Sequence, residues 1–231
     1  MWRIYQARKE MIKSFSISRR ATISRIFQRY FPLLIALWVL FVLYPNPLNL
    51  IISVQRTFNP DINPGAVVPI LSDLPSNPTA IEETVLVKIP YHYDWEVYGM
   101  PWYFPTTEEV LHKGKGDCKA RALVLASVFE AEKIPYQLNI SPIHVWVDYA
   151  GKEETPLENP EVKFYQLDPE TGKRLFQIPD IRLREMMDSI WQGFWNPMPG
   201  GRKALLFSGL LILIAIRVTS ARKGKVKLSS H

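Results

Sequence analysis

The stretch Gly114-Lys115-Gly116-Asp117-Cys118-Lys119-Ala120 decides the fold of this chain. Before it, Pro105-Thr106-Thr107-Glu108-Glu109-Val110-Leu111 carries capping residues followed by acids, which starts a short helix. Gly114 and Gly116 break that helix. Asp117 is a helix-capping residue type, so a second helix starts at Cys118. Ala120, Ala122, Leu123, Leu125, Ala126, Val128, Phe129 and Ala131 are apolar around much of its circumference, which describes a central buried helix. Ile134-Pro135 ends it. Cys118, the chain's single cysteine, therefore opens a core helix.

Downstream, Tyr136–Ile140 and Ile143–Tyr149 alternate like strands, and Phe164–Asp168 reads as a third. In the second strand Ile143, Val145 and Val147 share one face, and His144, Trp146 and Asp148 the other. In the third, Phe164, Gln166 and Asp168 share a face. Asp168-Pro169 closes it at a turn.

A thiol, an imidazole and a carboxylate in this chain order supply what nucleophilic acyl chemistry requires. A thiol at a helix N-terminus meets unpaired N–H groups and the positive end of the dipole, which lower its pKa. The same donors can hold a developing oxyanion. His144 can take the thiol proton, and Asp168 on a neighbouring strand can fix the imidazole tautomer. Glu158 and Asn159 stand in reserve as orienting groups. Asp148 is read as a solvated neighbour and Trp146 as packing.

The blocks Gly114–Cys118, His144-Val145-Trp146-Val147 and Asp168-Pro169 resemble the transglutaminase-like superfamily. So do Ile89-Pro-Tyr-His-Tyr-Asp94 and Trp102-Tyr-Phe-Pro-Thr106 upstream. The likeness covers about residues 85–175. It implies an α+β fold with a papain-like transglutaminase core, in which a central helix with the cysteine at its N-terminus packs on a small antiparallel sheet. It implies a Cys118–His144–Asp168 triad acting on protein or peptide substrates through a thioester, with no cofactor and no metal. The Trp102 indole is the oxyanion candidate, with Trp95 behind it. Lys119-Ala120 departs from the polar pair that follows the cysteine in many relatives. The alternative reading is a non-catalytic receptor or assembly subunit that keeps the fold for binding.

Composition bounds the rest. At 231 residues with 47% hydrophobic content, the chain holds one ordinary core-forming domain plus accessory segments. One cysteine excludes an intrachain disulfide framework and a cysteine-based zinc cluster. The net charge of +6 is unevenly spread. Residues 1–29 carry +7, residues 217–231 carry +5, and the middle carries −6. An acidic middle is not a nucleic-acid footprint. Basic ends around it suggest membrane topology.

Two apolar runs agree with that. No charge interrupts Tyr30–Gln55, although Pro45 and Pro47 fall within it, and Ala204–Ile216 is bracketed by Lys203 and Arg217. The second run alone is short for a span, which needs about 20 residues. The basic arm before the first run is too long for a signal peptide, and no small-x-small cleavage site follows. Because Lys and Arg mark the cytoplasmic side, both termini are expected there, with the module outside. The expected order is a basic arm (1–29), a first transmembrane helix (30–54), a Pro/Asn-rich linker (55–80) and the catalytic module (81–180). An amphipathic interfacial segment (181–203), a second transmembrane helix (204–218) and a basic tail (219–231) follow. The partners expected are the lipid bilayer, a peptide substrate and a membrane protein complex.

Overall fold

In the computed structural model of this chain the local signals around Cys118 become the central elements. It describes residues 28–153, 160–179 and 183–226, together with positions 6, 155 and 158. The arm 1–27 except position 6, the tail from 227 and Asn159 lie outside the described residues. The chain divides into one unit of residues 46–199 and another made of 1–45 and 200–231.

In the first unit, Thr106 and Glu109 form a reciprocal capping box that opens α6 (Thr107–Lys113). Gly114 closes α6 in the left-handed conformation, at φ 62°. Asp117 then caps α7 (Cys118–Glu132) by accepting the Lys119 N–H at 3.1 Å. Ten of the 15 residues of α7 are buried, so it is the core helix. Four antiparallel strands follow: β1 (Tyr136–Ile140), β2 (Val145–Tyr149), β3 (Tyr165–Asp168) and β4 (Lys173–Phe176), in the order β2-β1-β3-β4. The protein is α+β, with α7 laid on β1 and β2. Phe129 of α7 meets the Tyr149 ring edge-on at 5.1 Å, and Leu138 and Val147 are fully buried beneath it. Each such side chain contributes about 1.5–3 kcal/mol by burial.

The stretch 55–80 is not a linker. It contains the end of α2 (Leu48–Phe58), all of α3 (Pro64–Leu71) and the start of α4 (Pro78–Lys88). The Asn-Pro pairs that resemble turn signals are helix starts. Asn63 and Asn77 each accept two backbone N–H groups, and Pro64 and Pro78 occupy the first helical position, where no N–H is needed. The Asn63 N–H donates to Ser127 Oγ of α7 at 3.0 Å, tying α3 to the core helix. A short helix α5 (Asp94–Val97), a 3-10 turn (Pro160–Val162), α8 (Leu183–Ile190) and a π turn (Trp191–Trp195) complete this unit.

The second unit holds α1, described over Gln28–Leu43, and α9 (Gly200–Val226). They run antiparallel. Phe31 sits under Arg217 at 4.4 Å, Trp38 Nε1 donates to the Leu206 carbonyl at 3.3 Å, and Arg202 donates to the Val42 carbonyl. Gly209 leaves no room for a Cβ beside the Trp38 ring.

The expected first span, 30–54, is not one helix. α1 ends at Leu43, the backbone breaks around Pro45 and Pro47, and α2 belongs to the folded domain. Proline removes a donor and stops the helix before it. Among the described residues one continuous helix, Gly200–Ser220, is long and apolar enough to cross a bilayer; α1 and α2 meet the criteria only if the broken pair counts as one span. Its 21 residues exceed the short apolar run because helix continues through the flanking basic residues, covering about 31 Å at 1.5 Å per residue.

Candidate active site

Cys118 occupies the first turn of α7, and the loop before it is held by backbone bonds. Gly116 N–H donates to the Pro90 carbonyl at 3.2 Å, and His92 N–H donates to the Gly116 carbonyl at 3.0 Å. This lays residues 90–92 beside the loop and puts Tyr91 near the thiol. A Cβ on Gly116 would lie 2.3 Å from Ala120 Cβ, so only glycine fits here. Gly116→Ala is expected to cost about 1–3 kcal/mol through overpacking. Thermal unfolding of the full chain in detergent checks this, and an unchanged midpoint would mean that the loop yields.

His144 is not inside a strand. It ends the connection from β1 to β2, one residue before β2 begins. Ser141 shapes that connection: its Oγ accepts the His144 N–H at 2.9 Å, and its N–H donates to the His144 carbonyl at 2.8 Å. The imidazole stacks on Trp146, with centroids 5.9 Å apart and planes 13° from parallel. It lines the same two cavities as Cys118, and its Nε2 lies 3.4 Å from Glu158 Oε1. Burial pulls the imidazole pKa down; the neighbouring Cys118 and Glu158 outweigh it and raise the value to about 9. Burial pushes the Glu158 carboxyl up, but the imidazole and the Lys152 ammonium hold it below its ordinary range. Lys152 Nζ donates to Glu158 at 3.3 Å, to Glu82 at 2.9 Å and to the Val147 carbonyl at 2.8 Å, so the carboxylate is itself anchored.

Asp168 is not brought to this pair. β1 lies between β2 and β3, so the strand that His144 precedes and the strand that carries Asp168 are not adjacent. The register sets Ile140, near the His144 end of β1, opposite Tyr165. Asp168 is three residues further along β3, about 10 Å away at 3.4 Å per residue. Its carboxylate is exposed and used in the β3–β4 turn, accepting Thr171 Oγ1 at 2.7 Å and the Glu170 and Thr171 N–H groups. Trp102 is brought to the site, where it lines the cleft with Cys118 and His144. The Trp95 indole is committed elsewhere, donating to the Phe194 carbonyl at 2.7 Å.

Cys118 and His144 stand on a wall shared by two cavities. The larger, about 610 Å³, is bounded by aromatic and aliphatic side chains including Tyr91, Trp102, Ile143, Phe164 and Phe194. The smaller, about 220 Å³, lies against Glu82, Arg121, Leu125 and Glu158.

Behind the thiol lies a charge cluster that the sequence reading missed. Lys119 is buried, with Nζ bonded to Asp94 Oδ2 at 2.9 Å and to Asp117 Oδ2. Asp94 Oδ2 also accepts the Tyr103 N–H at 2.8 Å. Burial pushes the Asp94 carboxyl up, and Lys119 opposes this; two carboxylates around one ammonium leave a buried excess of negative charge. Burial alone would lower the Lys119 pKa, but the two aspartates raise it, so the ammonium keeps its charge. The available signal was Lys119-Ala120 within an apolar helix, because lysine is almost never buried unless paired. No family model matches this chain, and no curated protein or solved structure matches it either.

Proposed function

We propose that this chain is a membrane-anchored, transglutaminase-like cysteine hydrolase or acyltransferase with a papain-like core, acting on peptide or amide carbonyls through a thioester. Cys118 is the nucleophile, His144 the base, and Glu158, rather than Asp168, the orienting carboxylate. The observation that carries this reading is the His144 imidazole on the same cavity wall as a thiol at a helix N-terminus, with its Nε2 against an anchored carboxylate. Glu158 takes Nε2, which leaves Nδ1 for the thiol. The thiol proton passes to His144, and the sulfur bonds to the substrate carbonyl carbon. The oxyanion is met by the Cys118 N–H at the start of α7 and by the Trp102 indole. His144 returns the proton to the leaving amine as the C–N bond breaks. Water or a second amine then attacks the thioester, again losing its proton to His144, and the thiol is regenerated.

For the membrane part, α1 and α9 are two spans with both termini cytoplasmic and the module outside. The antiparallel α1–α9 contacts and the basic ends support this.

The orienting role is tested by following the His144 resonances with pH. The wild type is expected to titrate near 9. Glu158→Gln and Cys118→Ser each remove a raising partner, so the value falls towards or below the ordinary 6.5 as burial dominates. Asp168→Asn leaves it unchanged. A wild-type value near 6.5 would overturn the assignment. Stability follows the same signs. The His144 contribution is complete below about pH 6.5 and is lost as pH rises through about 9. The Glu158 contribution is present above its ordinary 4.5 and is lost on acidification through its lowered value.

A further inference from the structure

We infer that α2 and α8, the first and last helices of the 46–199 unit, form a face that docks on the lipid bilayer beside the Cys118 cleft. Both helices turn an apolar face outward. α2 turns its polar side inward: Ser53 and Thr57 are buried, and Ser53 Oγ accepts the Phe104 N–H at 3.1 Å. Arg56 donates to Tyr103, to the Phe104 carbonyl and to Glu109. Its apolar side faces out, with Leu48 59% and Ile51 63% exposed. α8 also exposes an apolar face. Leu183, Met187, Ile190 and Trp191 recur at helical spacing on one face, with Met187 61% and Trp191 62% exposed. Soluble proteins cover such faces; a bilayer interface welcomes them.

The occupant follows from chain continuity. α2 comes directly after the break that ends α1, and α8 with its π turn comes directly before α9. The helices with outward apolar faces are thus the two nearest the junctions with the apolar helices, and Trp191 and Trp195 suit the headgroup region. A second copy of the chain or a protein partner would not require both junctions to be apolar outward. Thr57 of α2 and Ile190, Gly193 and Phe194 of the last segment also line the larger cleft. Docking therefore sets the cleft at the membrane surface, where it meets carbonyls presented at the bilayer. The docking face stands whether or not Cys118 is catalytic; only its consequence for substrate rests on that reading.

The test uses the full chain in phosphatidylcholine–phosphatidylglycerol vesicles. Cys118→Ser removes the single native thiol, and an NBD label is placed at Ile51→Cys, at Met187→Cys or, as control, at Val87→Cys, which is exposed on α4. The labels at 51 and 187 are expected to emit to the blue of the control and to be quenched by doxyl-labelled lipid, with the control quenched by aqueous iodide. Leu48→Cys and Trp191→Cys repeat the measurement if either variant fails to fold. Water-like emission and iodide quenching at 51 and 187 would overturn the inference. Blue-shifted emission without lipid quenching would also overturn it, since a protein would then cover the face.

Discussion

Cys118→Ser is expected to abolish covalent labelling of the folded chain by an iodoacetamide probe. The chain has one thiol, so peptide mapping must place the whole label on Cys118. Cys118→Ser also removes acyl transfer, while the unfolding midpoint stays close to wild type because the hydroxyl fits the same first turn of α7. His144→Ala keeps the thiol and loses the base, so turnover of a peptide or amide substrate falls by roughly 10²–10⁴-fold. Wild-type turnover that survives Cys118→Ser would refute the thioester mechanism. A wild-type protein that labels no faster than free cysteine and turns over no acyl substrate would leave the non-catalytic binding reading in its place.

Lys119→Met is expected to give the largest loss of stability. The ammonium is paired with two carboxylates in a buried cluster, and methionine nearly preserves the volume while deleting the only positive charge among the three. Breaking a buried pair by removing one partner costs about 3–5 kcal/mol, set against a total of about 5–15 kcal/mol for a whole domain. Adding Asp94→Asn to Lys119→Met removes one stranded carboxylate, so the double variant should recover part of the loss. Thermal and denaturant unfolding of the full chain in detergent measures both. Equal stability of wild type and Lys119→Met would show that the cluster contributes nothing net. The cluster also bears on the site, since Asp117 caps the helix that carries the thiol.

What the sequence determined by itself is whatever depends on neighbours along the chain. The Thr106–Glu109 capping box, the break at Gly114, the Asp117 cap and the apolar α7 were legible because helix ends are satisfied by side chains within a few residues. β1 was legible to the residue, and β2 differed only at its start, because alternation is also local. The meeting of Cys118 and His144 followed from the short path from α7 through β1. The tertiary structure alone decided the rest. Glu158 rather than Asp168 meets the imidazole because strand order and register are set by pairing across the sheet, which no single strand encodes. Lys119 became an interior residue because Asp94, 25 positions away, comes to its side. The Asn-Pro pairs became helix caps as α3 packed on α6 and α7, and α2 joined the domain through its polar side because its bonds to Tyr103, Phe104 and Glu109 outweigh what hydropathy alone suggests for Leu48–Val54. Hydrophobic pattern tells which residues shun water. Which apolar face meets the core and which meets something else is settled only when distant polar groups find their partners.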